Sequence, residues 1–165
     1  MRQATFGTDI RGRVVAPDPS TWPLSAADAA LAATQNATLG VAPPTAQVID
    51  DVIIARMSVT NPTNRVVSIV VNPLGGTFPY GGDSPFLLRF GSSAPVTYTG
   101  RLFPPAPPVP MRIDLPPETR VTFDATIALA SWTWSGNPTV PLDWGFHFAA
   151  GTAPGGAVSV TLPLK

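Results

Sequence analysis

Between Arg120 and Leu129 apolar and polar residues alternate. Val121, Phe123, Ala125, Ile127 and Leu129 are interleaved with Arg120, Thr122, Asp124 and Thr126. A period of two is that of a pleated strand with one face buried and the other wet. Upstream, Val48–Thr60 is rich in β-branched residues, Asn61-Pro62-Thr63-Asn64 is a turn cluster, and Arg65–Val71 is again β-branched. That order predicts a hairpin. Phe86–Phe90, Val96–Tyr98 and Arg112–Leu115 read as short strands between turn residues. Trp144–Ala149 and Ala157–Leu164 read as the last two strands, and Ile10–Ala16 as a first one before the turn Pro17-Asp18-Pro19. The helical period appears once, where Ser25-Ala26-Ala27-Asp28 opens an alanine-rich stretch to about Thr34 with the look of a capping box.

Short strands at such spacing predict an all-β fold, an antiparallel β-sandwich of immunoglobulin-like type with one short N-terminal helix. Residues 1–45 read as a strand and helix extension and 46–165 as the sandwich, within one compact unit. No internal repeat is visible. Composition agrees: 44% of residues are apolar, enough for a core, and 21 prolines with 14 glycines imply many turns. Phe103–Pro110 (Phe-Pro-Pro-Ala-Pro-Pro-Val-Pro) reads as an extended, polyproline-like surface loop.

Charge changes the picture of partners. Only 12% of residues are charged, ten acidic against ten basic, and the nine arginines and one lysine are scattered singly. Nucleic acid binding needs clustered cations to displace counterions from phosphate, so that class is set aside. A net charge near zero leaves little repulsion between copies and favours a homo-oligomer. No stretch reaches the length of a spanning helix. The first ten residues hold no apolar run of signal-peptide length. The expectation is residence in the cytoplasm, export by another route, or prior removal of a leader.

One ordered set of residues carries a family resemblance. Ser58-Val59-Thr60-Asn61-Pro62-Thr63 is followed by an apolar strand and Asn72-Pro73-Leu74-Gly75-Gly76. Then come Pro95-Val96-Thr97-Tyr98-Thr99-Gly100-Arg101-Leu102, the proline-rich loop, and Ile113-Asp114-Leu115-Pro116-Pro117-Glu118 before the alternating strand. This order, over roughly residues 46–130, resembles the immunoglobulin-like domain that precedes the catalytic domain of deuterolysin-type and peptidyl-Lys zinc metallopeptidases. Pro117 stands where that family usually has glycine, and the zinc-peptidase domain has no counterpart in this sequence. The resemblance implies the fold, and a domain that accompanies a peptidase as an inhibitor or folding partner.

Candidate chemistry is sparse. A His-Glu-x-x-His zinc site needs two histidines and a glutamate on one helix, and the chain has one histidine, His147, and one glutamate, Glu118. His147 has no Gly-x-Ser-x-Gly nucleophile to serve and reads as an exposed or edge-strand residue. With no cysteine, disulfides, thiol catalysis and Cys-type zinc sites drop out. Asp50-Asp51 reads as solvated charge at a strand start, and Gly75-Gly76 and Gly81-Gly82 as turn glycines lacking the lysine of a phosphate loop. Asn36-Ala37-Thr38 matches the glycosylation sequon. The expectation is a non-enzyme without metal or cofactor.

Two features are candidate binding surfaces. Trp132, Trp134 and Trp144 form an aromatic group near the C-terminal hairpin, and Trp132 and Trp134, two apart, share a strand face. Such a pair suits either a carbohydrate platform or the plugging of the core. The other is the stiff loop with Phe103, Pro104, Pro105, Pro107 and Pro108, which loses little entropy on docking but also suits a plain crossover. The leading expectation is an interaction domain with a protein partner, by resemblance a peptidase. A self-assembling structural protein and a carbohydrate-binding module are the alternatives.

Overall fold

The computed structural model describes residues 1–5, 14–15, 25–71, 86–101, 111–146 and 154–165. The described chain is all-β with a single α-helix. Its strands are β1 (Arg2–Thr5), β2 (Val14–Val15), β3 (Gly40–Ile49), β4 (Val52–Asn61), β5 (Val67–Val71), β6 (Phe86–Phe90), β7 (Thr97–Tyr98), β8 (Met111–Leu115), β9 (Thr119–Ala128), β10 (Trp132–Thr133), β11 (Thr139–Phe146) and β12 (Gly155–Thr161). The helix α1 (Ala26–Asn36) starts where the Ser25 side chain accepts the Asp28 amide at 3.1 Å, so its first turn has a capped donor.

One layer is the sheet β1-β9-β4-β3. The apolar residues of the alternating strand point inward beside those of β4, with Ile53 opposite Ile127, Met57 opposite Phe123 and Val59 opposite Val121, all buried. Two three-stranded sheets, β12-β11-β6 and β2-β8-β5, contribute to the same core through Phe86, Leu88, Leu142, Phe146, Ile69 and Ile113. Phe123 of β9 meets Phe146 of β11 edge to face at 5.1 Å, which locks the layers together. The pairings are antiparallel except that of β1, which runs parallel to β9 with the Arg2 amide donating to the Glu118 carbonyl at 3.0 Å.

Several elements differ from the sequence reading. Val48–Thr60 is not one strand, because Asp50 and Asp51 both take positive φ (47° and 60°) and form the two-residue turn of a β3–β4 hairpin. Such a turn matches the right-handed twist of the flanking strands. Nor do β4 and β5 pair: β4 lies between β3 and β9, and β5 pairs with β8, so Asn61–Asn64 crosses between sheets. The sheet also extends upstream of residue 45, since β3 starts at Gly40 and β1 is an edge strand. Pro43-Pro44 sits in β3 at a one-residue register shift between Ala42 and Thr45, which an edge strand tolerates.

β11 starts five residues before Trp144, at Thr139, and includes Pro141 although it lies between two strands. β6 ends at Phe90, and the next residue, Gly91, donates its amide to the Pro141 carbonyl at 2.9 Å. The N–H that proline lacks would face the Gly91 carbonyl, which accepts the Ala94 amide at 3.0 Å instead. A Cβ on Gly91 would approach the Pro141 ring to 3.1 Å, so glycine admits the proline there.

Candidate functional site

The C-terminal strand β12 is exposed at five of its seven residues. The Phe146 amide donates to the Pro154 carbonyl and the Leu162 amide to the Pro138 carbonyl, both at 2.9 Å. Even-numbered residues of β12 thus aim their main-chain groups at β11, and those of Gly155, Ala157, Ser159 and Thr161 face the other way. β12 is the end strand of its sheet, with β3 of the opposite layer alongside but outside its ladder. Gly155, Gly156, Ala157, Ser159 and Thr161 are exposed, and β12 has neither charge nor proline. Gly156 leaves room for Trp144, whose Nε1 would lie 3.2 Å from a Cβ placed there.

Trp132, Trp134 and Trp144 line the core or its margin. Trp132 is only 7% exposed and packs edge to face against Phe90 at 4.7 Å and Tyr98 at 5.1 Å. Enclosed on this scale, it has no open ring face to stack on a sugar. Trp134, half-buried, donates Nε1–H to the Pro163 carbonyl at 2.8 Å, and Lys165 Nζ lies 3.7 Å from its ring centroid. Lys165 also donates to the Trp132 carbonyl at 3.1 Å. Trp144 is half-buried against the core. A stacking platform would therefore rest on Trp134 and Trp144. Phe103, Pro104, Pro105, Pro107 and Pro108 lie outside the described residues, as do His147, Gly75-Gly76 and Gly81-Gly82. Asn36 of the sequon is buried in the last turn of α1.

Two of the motifs that carry the resemblance, Asn61-Pro62-Thr63 and Leu115-Pro116-Pro117-Glu118, meet in space. Asn61 is fully buried, and its Nδ2 donates to the carbonyls of Arg65 at 2.8 Å, Leu115 at 3.1 Å and Pro116 at 2.9 Å. Its Oδ1 accepts the Thr63 amide at 3.1 Å and hydroxyl at 2.7 Å. Asn61-Pro62-Thr63 and Leu115-Pro116-Pro117-Glu118 are thereby fastened into one crossover, closed by the Glu118 amide on the Thr63 carbonyl at 2.9 Å. The left-handed residue of the second turn is Glu118 (φ 50°), one position after Pro117. Tyr98-Thr99-Gly100 also has a physical reason: a Cβ on Gly100 would collide with the Tyr98 ring, which folds over it. These contacts are structural, with no reacting group among them.

The outer face of β3-β4-β9 is polar. Arg56 and Asp124 pair there through two hydrogen bonds of 2.7 and 2.9 Å, and this carboxylate raises the arginine pKa further above its ordinary value. Beside them a shallow groove of 330 Å³ is lined by Gly40, Val41, Ala42, Ser58, Thr60 and Arg120. Among the described residues no group of three or more His, Cys, Asp or Glu side chains comes together to hold a metal. No helix among them is long and apolar enough to cross a membrane. No protein-family model matches the chain, and no curated protein matches it. The sequence reading missed the β12 edge as a site, although seven consecutive residues without charge or proline were its signal.

Proposed function

We propose that this chain is a non-enzymatic interaction domain whose partner is a protein, engaged through the open edge of β12. The observation that carries the reading is the outward row of main-chain donors and acceptors at Gly155, Ala157, Ser159 and Thr161, with no charge or proline to obstruct it. An extended segment laid along such an edge gains ladder hydrogen bonds, with little demand on its sequence. The family resemblance makes a peptidase the partner to try first. Titrating the purified chain into zinc metallopeptidases, with inhibition and complex formation both read, gives a saturable effect on this account. If no complex and no inhibition appear, the peptidase is removed as partner and the edge keeps its other candidates.

The same edge supports a second reading, self-assembly, because unguarded strand edges template pairing with another chain. Net charge of zero removes the long-range repulsion that would otherwise keep copies apart.

A further inference from the structure

We propose that the strand received by the β12 edge is β12 of a second copy of this chain, the two running antiparallel about a two-fold axis at Val158. This rests on the reading that the β12 edge is the contact element, and adds the identity of the occupant.

The strand is self-complementary in size. Placing Val158 opposite its own copy sets Gly155 against Thr161, Gly156 against Val160 and Ala157 against Ser159. Each glycine then faces a β-branched residue, which sets small against large at both ends of the pair. The same register is the one the hydrogen bonds require. Outward groups belong to odd-numbered residues, and this alignment sets odd against odd, so that Gly155, Ala157, Ser159 and Thr161 all find partners. A slip by one residue would set outward groups against inward ones and also turn the side chains over.

Charge and two of the other sheet edges point the same way. β12 brings no charge to the axis. β3 has an edge broken by Pro43-Pro44 and its register shift, and β1 is four residues long and begins with Arg2. Joining at β12 yields the continuous sheet β6-β11-β12-β12-β11-β6, an isologous contact that closes on itself and stops at two copies.

The test is sedimentation of the full chain from low to high micromolar concentration, alongside Ala157→Pro and Ser159→Lys. Proline at 157 removes an amide hydrogen that points away from β11, so the intrachain ladder stays whole. Ser159→Lys places a charge at an exposed position and serves if the proline variant fails a far-ultraviolet and thermal check of folding. The expected result is a concentration-dependent dimer whose dissociation constant rises about tenfold or more in each folded variant. A strict monomer at the highest concentration overturns the inference, and so does a dimer that neither variant weakens. Amide hydrogen exchange at Ala157, Ser159 and Thr161 separates the two levels. If the chain stays monomeric but an added alternating Thr-Val peptide slows these amides, the second copy falls and the open edge stands. If the peptide leaves them unchanged as well, both fall.

Discussion

The crossover at Asn61 and the edge at β12 handle the same problem in opposite ways. Both contain main-chain groups that leave the ladder of their own sheet. At the crossover these groups are buried or partly buried, and one side chain takes over: Asn61 serves three carbonyls with its amide and one residue, Thr63, with its oxygen. At β12 the groups face outward from exposed residues, and nothing in the described chain replaces the missing strand. The difference follows from desolvation. A buried carbonyl without a donor costs about 1–3 kcal/mol, whereas one in water loses almost nothing. The crossover must therefore be complete for the chain to fold, and the edge can remain open until a partner arrives.

The strongest way to break this contrast is Asn61→Ala. It leaves the carbonyls of Arg65, Leu115 and Pro116 without their amide donor at a fully buried site. We expect a loss of about 3 kcal/mol, read as a lower urea midpoint at unchanged slope. A loss below about 1 kcal/mol would mean that water enters and substitutes for the amide, and the crossover would then be no more demanding than the edge. Thr63→Val is the milder version. It removes the hydroxyl that lies 2.7 Å from Asn61 Oδ1 but leaves the Thr63 amide bond to the same oxygen, so about 1 kcal/mol is expected by the same measurement.

The sequence revealed these regions unequally. Alternation marked β9 because its two faces differ so clearly, Val121 and Phe123 being buried between polar neighbours. The capped start of α1 was legible for a similar reason, since Ser25 and Asp28 act within one turn. The β3–β4 turn was hidden because Asp50 and Asp51 adopt left-handed backbone without the glycine that usually announces it, inside a run of β-branched residues. β3 was hidden by Pro43-Pro44, which argue against a strand unless the strand is known to lie at an edge. The pairing of β4 with β9 rather than with β5 is a long-range choice. Asn61 enforces it through carbonyls more than fifty residues away, beyond the reach of any local pattern. The candidate site was legible only in part. The tryptophans stood out by type, but type does not distinguish a ring packed on Phe90 and Tyr98 from one offered to a ligand. The β12 edge is a property of main-chain direction, which the lack of charge and proline in its seven residues permits but does not specify.

Smaller effects sharpen the contrast on the exposed side. The Arg56–Asp124 pair has good two-bond geometry, yet the arginine side chain is 61% exposed. A double-mutant cycle with Arg56→Ala and Asp124→Ala should give a coupling within about 1 kcal/mol, falling as salt is added. The raised arginine pKa bears on stability only in strong alkali. A folded-state value above the unfolded one stabilises below the unfolded pKa and is lost as pH climbs through the folded one. A coupling that stays constant between about pH 6 and pH 9 is therefore the expected outcome, with thermal unfolding as the readout.

The smallest effect on the fold should come from Ala157→Pro, and it is the most discriminating. The Ala157 amide points away from β11, so the substitution deletes a donor already facing solvent, at a strand position where proline is tolerated. Unfolding of the dilute, monomeric variant should match that of the parent chain to within about 0.5 kcal/mol. The same proline placed at Val158, whose main chain faces β11, removes a ladder hydrogen bond and should cost about 1 kcal/mol or more. Comparing the two neighbours isolates the direction of the main-chain groups from the general effect of proline in a strand. If both positions proved equally costly, the outward row on β12 would already be engaged within the chain, and the fold would depend on that edge as much as it depends on the crossover.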